Sequence, residues 1–418
     1  MQAEFLGRPL RRRDREDRLA GSGLGFLSGL APFDRRGHQR RLIVDALWRV
    51  DAASRADLAA AIGLSPQMVT LLVDELMADG LVREVGRRPA ARGQPPIDLA
   101  LDPDGGFAVG VQVEPGRLNI VLADLKGRVR AEISEPCPTE TPAKALPHLK
   151  KRVARLVAKT GIDRRRLLGA GIVIPGPFGD VENVARDLLA MPAWSRSTFR
   201  EDFAAALDMP VFVGNDATAA AVGEHLDGAA RDLRHFVYLY LGEGVGAGVF
   251  VEDHPAMGAF GNAGEVGRML VPDPDRPGAA IELEAVASLD ALRRALAVAG
   301  DVDAEALFVA NAAAVARWRD RAAAALRIAI ANIENLLDPD AIVLGGPLPP
   351  AELSALLSRI ELPPTVSARG GRRHPRLLLG RSGRVVSALG GATLPLFHAL
   401  TPQPQAARRR VGAMEMAS

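Results

Sequence analysis

Apolar positions near the start of the chain recur at helical spacing and then shorten into strand-like runs. In "HQRRLIVDALWRV" (38–50), Leu42, Ile43, Ala46, Leu47 and Val50 share one helical face. In "SRADLAAAIGL", Ser54 can cap a second helix with Asp57 three residues on, Leu58, Ala61 and Ile62 point inward, and Gly63 ends it. "SPQMVTLLVDELMADG" predicts a third helix, with Ser65 as cap, Pro66 in the first turn and a stripe of Val69, Leu72, Val73, Leu76 and Met77. Gly80 closes it, and "LVREV" and "PIDLAL" then read as short strands around "GRRPAARGQP".

Three short helices and a β-wing, with a tight Gly63-Leu64 turn between the second and third helices, predict a winged helix-turn-helix over residues 34–92. The third helix would enter the major groove of a double-stranded operator by its N-terminal end. Gln67, Met68 and Thr70 lie away from the apolar stripe, where they can reach base edges. Ser65 and the free amides beside it can hold a phosphate. Arg40, Arg41 and Arg55 are candidate backbone contacts, and Arg87, Arg88 and Arg92 of the wing can follow phosphates or a narrow minor groove.

Residues 1–33 read as a disordered basic arm, 93–105 as a proline- and glycine-containing linker, and 401–418 as a flexible tail. From Phe107 the texture changes. "FAVGVQV", "LNIVLADLKGRV", "LLGAGIVIPGPFGD", "MPVFVGND", "HFVYLYLGEGVGAGVF" and "DAIVLGGPL" are apolar strands ending in Gly, Pro, Asn or Asp turns, with alanine-rich helical stretches between them. The fold class is therefore α/β.

Bulk composition excludes more than it assigns. The chain has 418 residues, 48% of them hydrophobic and 24% charged, and no run long enough for a membrane span. A cytoplasmic protein is expected. The net charge of +2 does not by itself argue for nucleic acid; the placement of the arginines does. Cys137 is the only cysteine and the seven histidines are scattered, so no metal site is expected.

Six segments in order, "GIVIPGPFGD", "VGNDATAAAVGE", "LGEGVGAG", "GAFGNAGEVGRM", "ELEAVAS" and "IVLGGPL", resemble the ROK family of repressors and sugar kinases. The resemblance spans roughly residues 38–400 and implies a two-lobed actin/hexokinase-like module over 106–400. It places sugar-hydroxyl binding at Asn215, the kinase-like general base at Asp216, and further sugar contacts at Glu265 and Glu284. Read alone, "ND" is also a turn capping the next helix. Arg268 replaces the family's histidine. Its fixed charge favours a carboxylate- or phosphate-bearing sugar derivative, unless it pairs with Glu265 or Glu284. The family's three-cysteine zinc segment is replaced by "VPDPDRPGAAIELE", which leaves that loop to be held by packing.

The implied nucleotide site is degenerate. Gln112 stands where family kinases carry an aspartate, Glu114 where they carry a glycine, and Glu243 where they carry the threonine of Gly-Thr-Gly. A carboxylate about 4 Å from a phosphate costs roughly 1 kcal/mol in water and about 4 kcal/mol at an effective dielectric near 20. Neither ATP nor any other cofactor is expected. The combined expectation is a non-catalytic regulator, a repressor of carbohydrate-related genes, acting as a homodimer on DNA. Two alternatives stand beside it: a sugar kinase with a helical appendage, and a regulator that no longer senses a ligand.

Overall fold

A computed structural model of the chain describes residues 35–89, 95–176, 191–195, 199–259, 261–298 and 304–402. The expected N-terminal arm lies outside the described residues, as does the expected tail apart from Thr401 and Pro402.

The first unit contains α1 (Arg35–Arg49), β1 (Ala53–Ser54), α2 (Arg55–Ile62), α3 (Pro66–Ala78), β2 (Val82–Arg87) and β3 (Ile97–Leu101). Local chemistry sets its helix ends. Ser54 and Asp57 form a reciprocal capping box, Gly63 closes α2 in the left-handed conformation at φ 68°, and the Ser65 side chain accepts from the Met68 amide. Val69, Leu72, Val73 and Leu76 are buried as their spacing requires, whereas Ala61 is exposed.

Two expectations are corrected. Helix α1 buries Val44 and Trp48 while Val50 is 41% exposed, because a second unit covers a face that an isolated amphipathic helix would leave in water. The strand expected at "PIDLAL" forms, as β3, so the segment assigned as a linker over 93–105 is not simply one. Strand β3 is the centre of the three-stranded sheet, with Leu99 facing Ala53 on one side and Glu84 on the other. Prolines 95 and 96 precede the strand and so do not interrupt its ladder. Only a short turn at Pro103–Gly105 separates it from the next sheet.

That sheet has the order β6-β5-β4-β7-β8, from β4 (Phe107–Glu114), β5 (Arg117–Asp124), β6 (Val129–Pro136), β7 (Leu167–Val173) and β8 (Val211–Gly214). Strands β4, β5 and β7 are almost wholly buried, as expected of strands covered on both faces. Helices α4 (Pro142–Thr160) and α5 (Phe199–Leu207) pack on its outer side. On its inner side, α6 (Asp216–Asp227) leads into a second sheet.

The second sheet runs β11-β10-β9-β14-β15. Its strands are β9 (Phe236–Leu241), β10 (Val245–Val251), β11 (His254–Pro255), β14 (Ala341–Gly346) and β15 (Leu377–Ser382). The chain between them forms the hairpin β12 (Leu270–Pro272) and β13 (Ala280–Glu282), then α7 (Glu284–Ala287), α8 (Leu289–Leu296), α9 (Ala304–Ala310) and α10 (Ala312–Leu337). Helix α11 (Pro350–Leu357) follows β14, and α12 (Val386–Leu400) ends the fold.

Helices α6 and α12 lie back to back between the sheets, so each sheet and its helices form one lobe. Their contact depends on missing side chains. A Cβ at Gly110 would sit 1.8 Å from the Ala388 carbonyl oxygen, and one at Gly171 would sit 1.9 Å from that of Gly391. Gly390 presses in the same way on the backbone of Ala219. Glycine here permits close approach, which seats α12 on the first sheet and α6 on α12. No single helix among the described residues is long and apolar enough to cross a membrane.

Candidate functional site

The cleft is built where β8 runs into α6. Asn215 caps that helix, its Oδ1 accepting from the Thr218 amide at 2.7 Å. The helix-capping role is therefore real, and it occupies only the oxygen end of the amide. Asp216 heads the helix and is pushed up to about 6 by loss of water, with the negative charges of Glu265 and Glu114 adding to the effect against the helix amides. The Glu265 carboxyl is also raised by burial and by Glu284, partly offset by Arg268.

These groups share walls. A Cβ at Gly176 would lie 3.2 Å from Glu265 Oε1 and 3.9 Å from Asn215 Cβ. Glu284 Oε2 lies 3.0 Å from the equivalent positions at Gly244 and Gly267, which sets it beside the glycine turn. Arg268 Nη1 stands 2.8 Å from Glu282 Oε2 and 3.2 Å from Glu284 Oε1. Of the two readings of Arg268, the pairing one holds for Glu284, and the spare positive charge is corrected: its guanidinium lies between two carboxylates. Glu282 was not singled out in the sequence, because its partner is set by the β12–β13 register.

The degenerate loops also look different in three dimensions. Glu243, at the turn between β9 and β10, closes an ion pair with Arg293 of α8. Its charge is therefore compensated, and the expected simple repulsion of phosphate by two carboxylates does not hold as stated. At the other loop, Asn119 Nδ2 donates to Gln112 Oε1 at 3.2 Å and to Glu114 Oε2 at 3.0 Å, while its Oδ1 accepts from Ser134 at 2.7 Å. A kinase-like turn is here knitted into a side-chain network.

Packing alone does not hold the cysteine-free segment. Asp273 accepts from the Asp275 amide and from Arg276 Nε, and Asp275 pairs with Arg321 on α10. The β12–β13 ladder adds backbone hydrogen bonds.

On the winged helix, Gln67, Met68 and Thr70 are exposed on α3, although the Thr70 hydroxyl donates back to the Pro66 carbonyl. Two proposed backbone contacts are corrected. Arg40 is 5% exposed and pairs with Asp79 and Glu75, and Arg41 is 4% exposed and donates to the His398 and Thr401 carbonyls. Neither presents its charge to a DNA backbone. Arg55 pairs with Asp74, and Arg88 with Asp57 and Asp98, though both arginines keep part of their surface in water. Arg87 is exposed; Arg92 lies outside the described residues.

A family model described as "ROK family" matches residues 108–394. The chain belongs to the ROK family. An uncharacterized protein, y4fQ, of Sinorhizobium fredii is 32% identical over 87% of this chain and 91% of its own length. The xylose repressor of Bacillus subtilis is 24% identical over 86% and 95%. Among solved structures, a ROK family transcriptional regulator described as a homolog of the E. coli MLC protein matches at a TM-score of 0.60, covering 87% of this chain and 97% of that one, with 24% identity. The ROK hexokinase of Thermus thermophilus matches at 0.51 with 28% identity, covering 69% of this chain and 97% of that one.

Proposed function

We propose that this ROK protein is a DNA-binding transcriptional repressor of carbohydrate-related genes whose two-lobed module senses a sugar and does not phosphorylate it. One observation carries the reading. The Bacillus subtilis xylose repressor aligns over 86% of the chain, a span that has to include winged-helix residues, whereas the Thermus thermophilus hexokinase covers only 69%.

The geometry supports a neutral polyhydroxyl ligand over an acidic one. Asp216, Glu265 and Glu284 line the cleft, Glu114 lies close enough to raise Asp216, and the charge of Arg268 is shared between Glu282 and Glu284. A ligand carboxylate would meet net negative charge, whereas hydroxyls can donate to these carboxylates. In this reading Asn215, Asp216, Glu265 and Glu284 hold adjacent hydroxyls, and Arg268 orients Glu284. Gln67, Met68 and Thr70 read base edges, while Ser65, Arg55, Arg87, Arg88 and Arg92 hold phosphates. Two copies on one operator place their α3 helices about 34–36 Å apart, so the working unit is a homodimer.

A thermal-shift scan against neutral sugars, uronic acids, sugar phosphates and Mg-ATP tests the reading. A ligand at about 100 times its Kd stabilises the fold by roughly 2.7 kcal/mol. A shift with neutral sugars and none with Mg-ATP is expected. A response to uronic acids alone overturns the charge argument.

The kinase reading keeps one specific support: Asp216, with its pKa near 6, is suited to accept a hydroxyl proton. ATP-dependent phosphorylation of a hexose that disappears in Asp216→Asn would establish it. Absence of turnover across the sugar panel removes it.

A further inference from the structure

Helix α1 of the winged helix is attached to both lobes at once. Near its middle, Arg41 Nη1 donates to the carbonyls of His398 and Thr401, each at 2.9 Å, at the C-terminal end of α12. Helix α12 is seated on the first lobe through Gly110 and Gly171, and its C-terminal end also meets the second lobe, where His254 Nε2 lies 3.3 Å from the Pro402 carbonyl. At its C-terminal end, Arg49 Nη1 reaches Asp253 Oδ1 at 3.2 Å, in the β10–β11 turn of the second lobe. Asp45 braces the same guanidinium at 3.1 Å, and Arg234 holds the other oxygen of Asp253 at 3.3 Å. The two attachments are eight residues apart, about 12 Å along a helix.

Further links among the described residues are found on both lobes. Arg166 donates to the Gly105 carbonyl at 3.0 Å and Arg130 to Asp104 at 2.9 Å, both from the first lobe. From the second lobe, Arg231 approaches Asp51 at 3.7 Å. Helix α6 connects this seam to the cleft. It begins at Asp216 and carries His225, whose ring stacks on Phe236 and lies 3.9 Å from Asp253.

We propose that Arg49 and Asp253 are positioning residues that make α1 a gauge of the angle between the lobes. A rigid helix fixed at two points to two bodies must tilt when those bodies rotate, or else release one point. Because the first-lobe attachments include the covalent junction, the Arg49–Asp253 pair is the one that yields or pulls. The use of this gauge by a ligand rests on the sensor reading above; the two-lobe attachment does not.

Distance measurement by pulsed electron double resonance tests it without ligand or DNA. Nitroxides are placed in a Cys137→Ser background at Ala60→Cys with Val309→Cys, winged helix to second lobe, and at Ala60→Cys with Ala154→Cys, winged helix to first lobe. All three label sites are exposed, and labelled protein is diluted into unlabelled protein. Arg49→Met and Asp253→Asn should each add a second, displaced population to the first distance and leave the second single. Arg49→Lys should restore the single population. Asp253 already has φ 66°, which asparagine tolerates, so that variant does not depend on refolding the turn. No change in either distance, or broadening of both, overturns the proposal. A protein that passes while no sugar shifts its melting retires the sensor reading and leaves the attachment standing.

Discussion

Arg293, on α8, closes an ion pair with Glu243 at the apex of the glycine turn between β9 and β10. In a kinase-like turn that apex faces phosphate; here a carboxylate and its own counter-ion occupy it. The turn itself is retained because strand geometry needs it, the Gly242 amide donating to the Gly244 carbonyl at 2.9 Å.

Because Glu243 is more than half exposed, the pair contributes little to stability. Glu243→Gln should cost less than about 1 kcal/mol, read as a small melting shift, and should leave the response to sugars intact. A loss of several kcal/mol would mean the pair is structural.

Arginines on the winged helix should separate into two groups. Arg40→Ala leaves Asp79 and Glu75 without their buried partner, and should destabilise the protein by about 3 kcal/mol. Arg87→Ala should leave melting unchanged and reduce the slope of log affinity against log salt by about 1, measured on any duplex. Gln67→Ala should alter base preference instead. An unchanged salt slope in Arg87→Ala would remove the wing from the interface.

Asp216 makes a signed contribution to pH dependence. Its folded pKa of about 6 lies above the unfolded value near 3.8, so the fold favours the protonated form. That stabilisation is complete below about pH 4 and is lost as pH rises through about 6. Asp216→Asn should therefore be more stable than the parent at pH 7–8, by up to about 3 kcal/mol, with the difference shrinking toward pH 4. Parallel denaturation curves from pH 4 to 8 decide it, and a constant offset contradicts the assignment.

Gly110 is where one methyl group should matter most. Gly110→Ala places a carbon on the Ala388 backbone oxygen, so α12 must lift from the first sheet. A loss of at least about 1–3 kcal/mol is expected. Hydrogen exchange should report it as faster opening of α12. Unchanged protection there would show that the helix does not depend on this seat.

Much of the local architecture was legible because it is local. Ser54, Asp57, Gly63 and Ser65 set their helix ends through atoms within four residues, so spacing alone found them. That Asn215, Asp216, Glu265 and Glu284 come together was legible only from a set of motifs in order, since nothing near each one in sequence sets it apart from an ordinary cap or surface group. Asn215 in fact also serves as a cap.

An arginine's partner was not legible in the same way. Arg40, Arg41 and Arg87 look alike in the sequence, yet Asp79 takes the first, the carbonyls ending α12 take the second, and water takes the third. The glycine turn holding Glu243 was visible, but Arg293 fifty residues on was not; Arg49 could be matched with Asp45 four residues away, but not with Asp253. The helix caps, the apolar stripes and the α/β alternation could be read from the chain alone, since each depends on neighbours along it. Which charges are already neutralised, that the Ile97–Leu101 strand sits at the centre of its sheet, and that α1 touches both lobes emerge only in three dimensions. Charge pairing and docking depend on distances through space, and a one-dimensional pattern does not contain them.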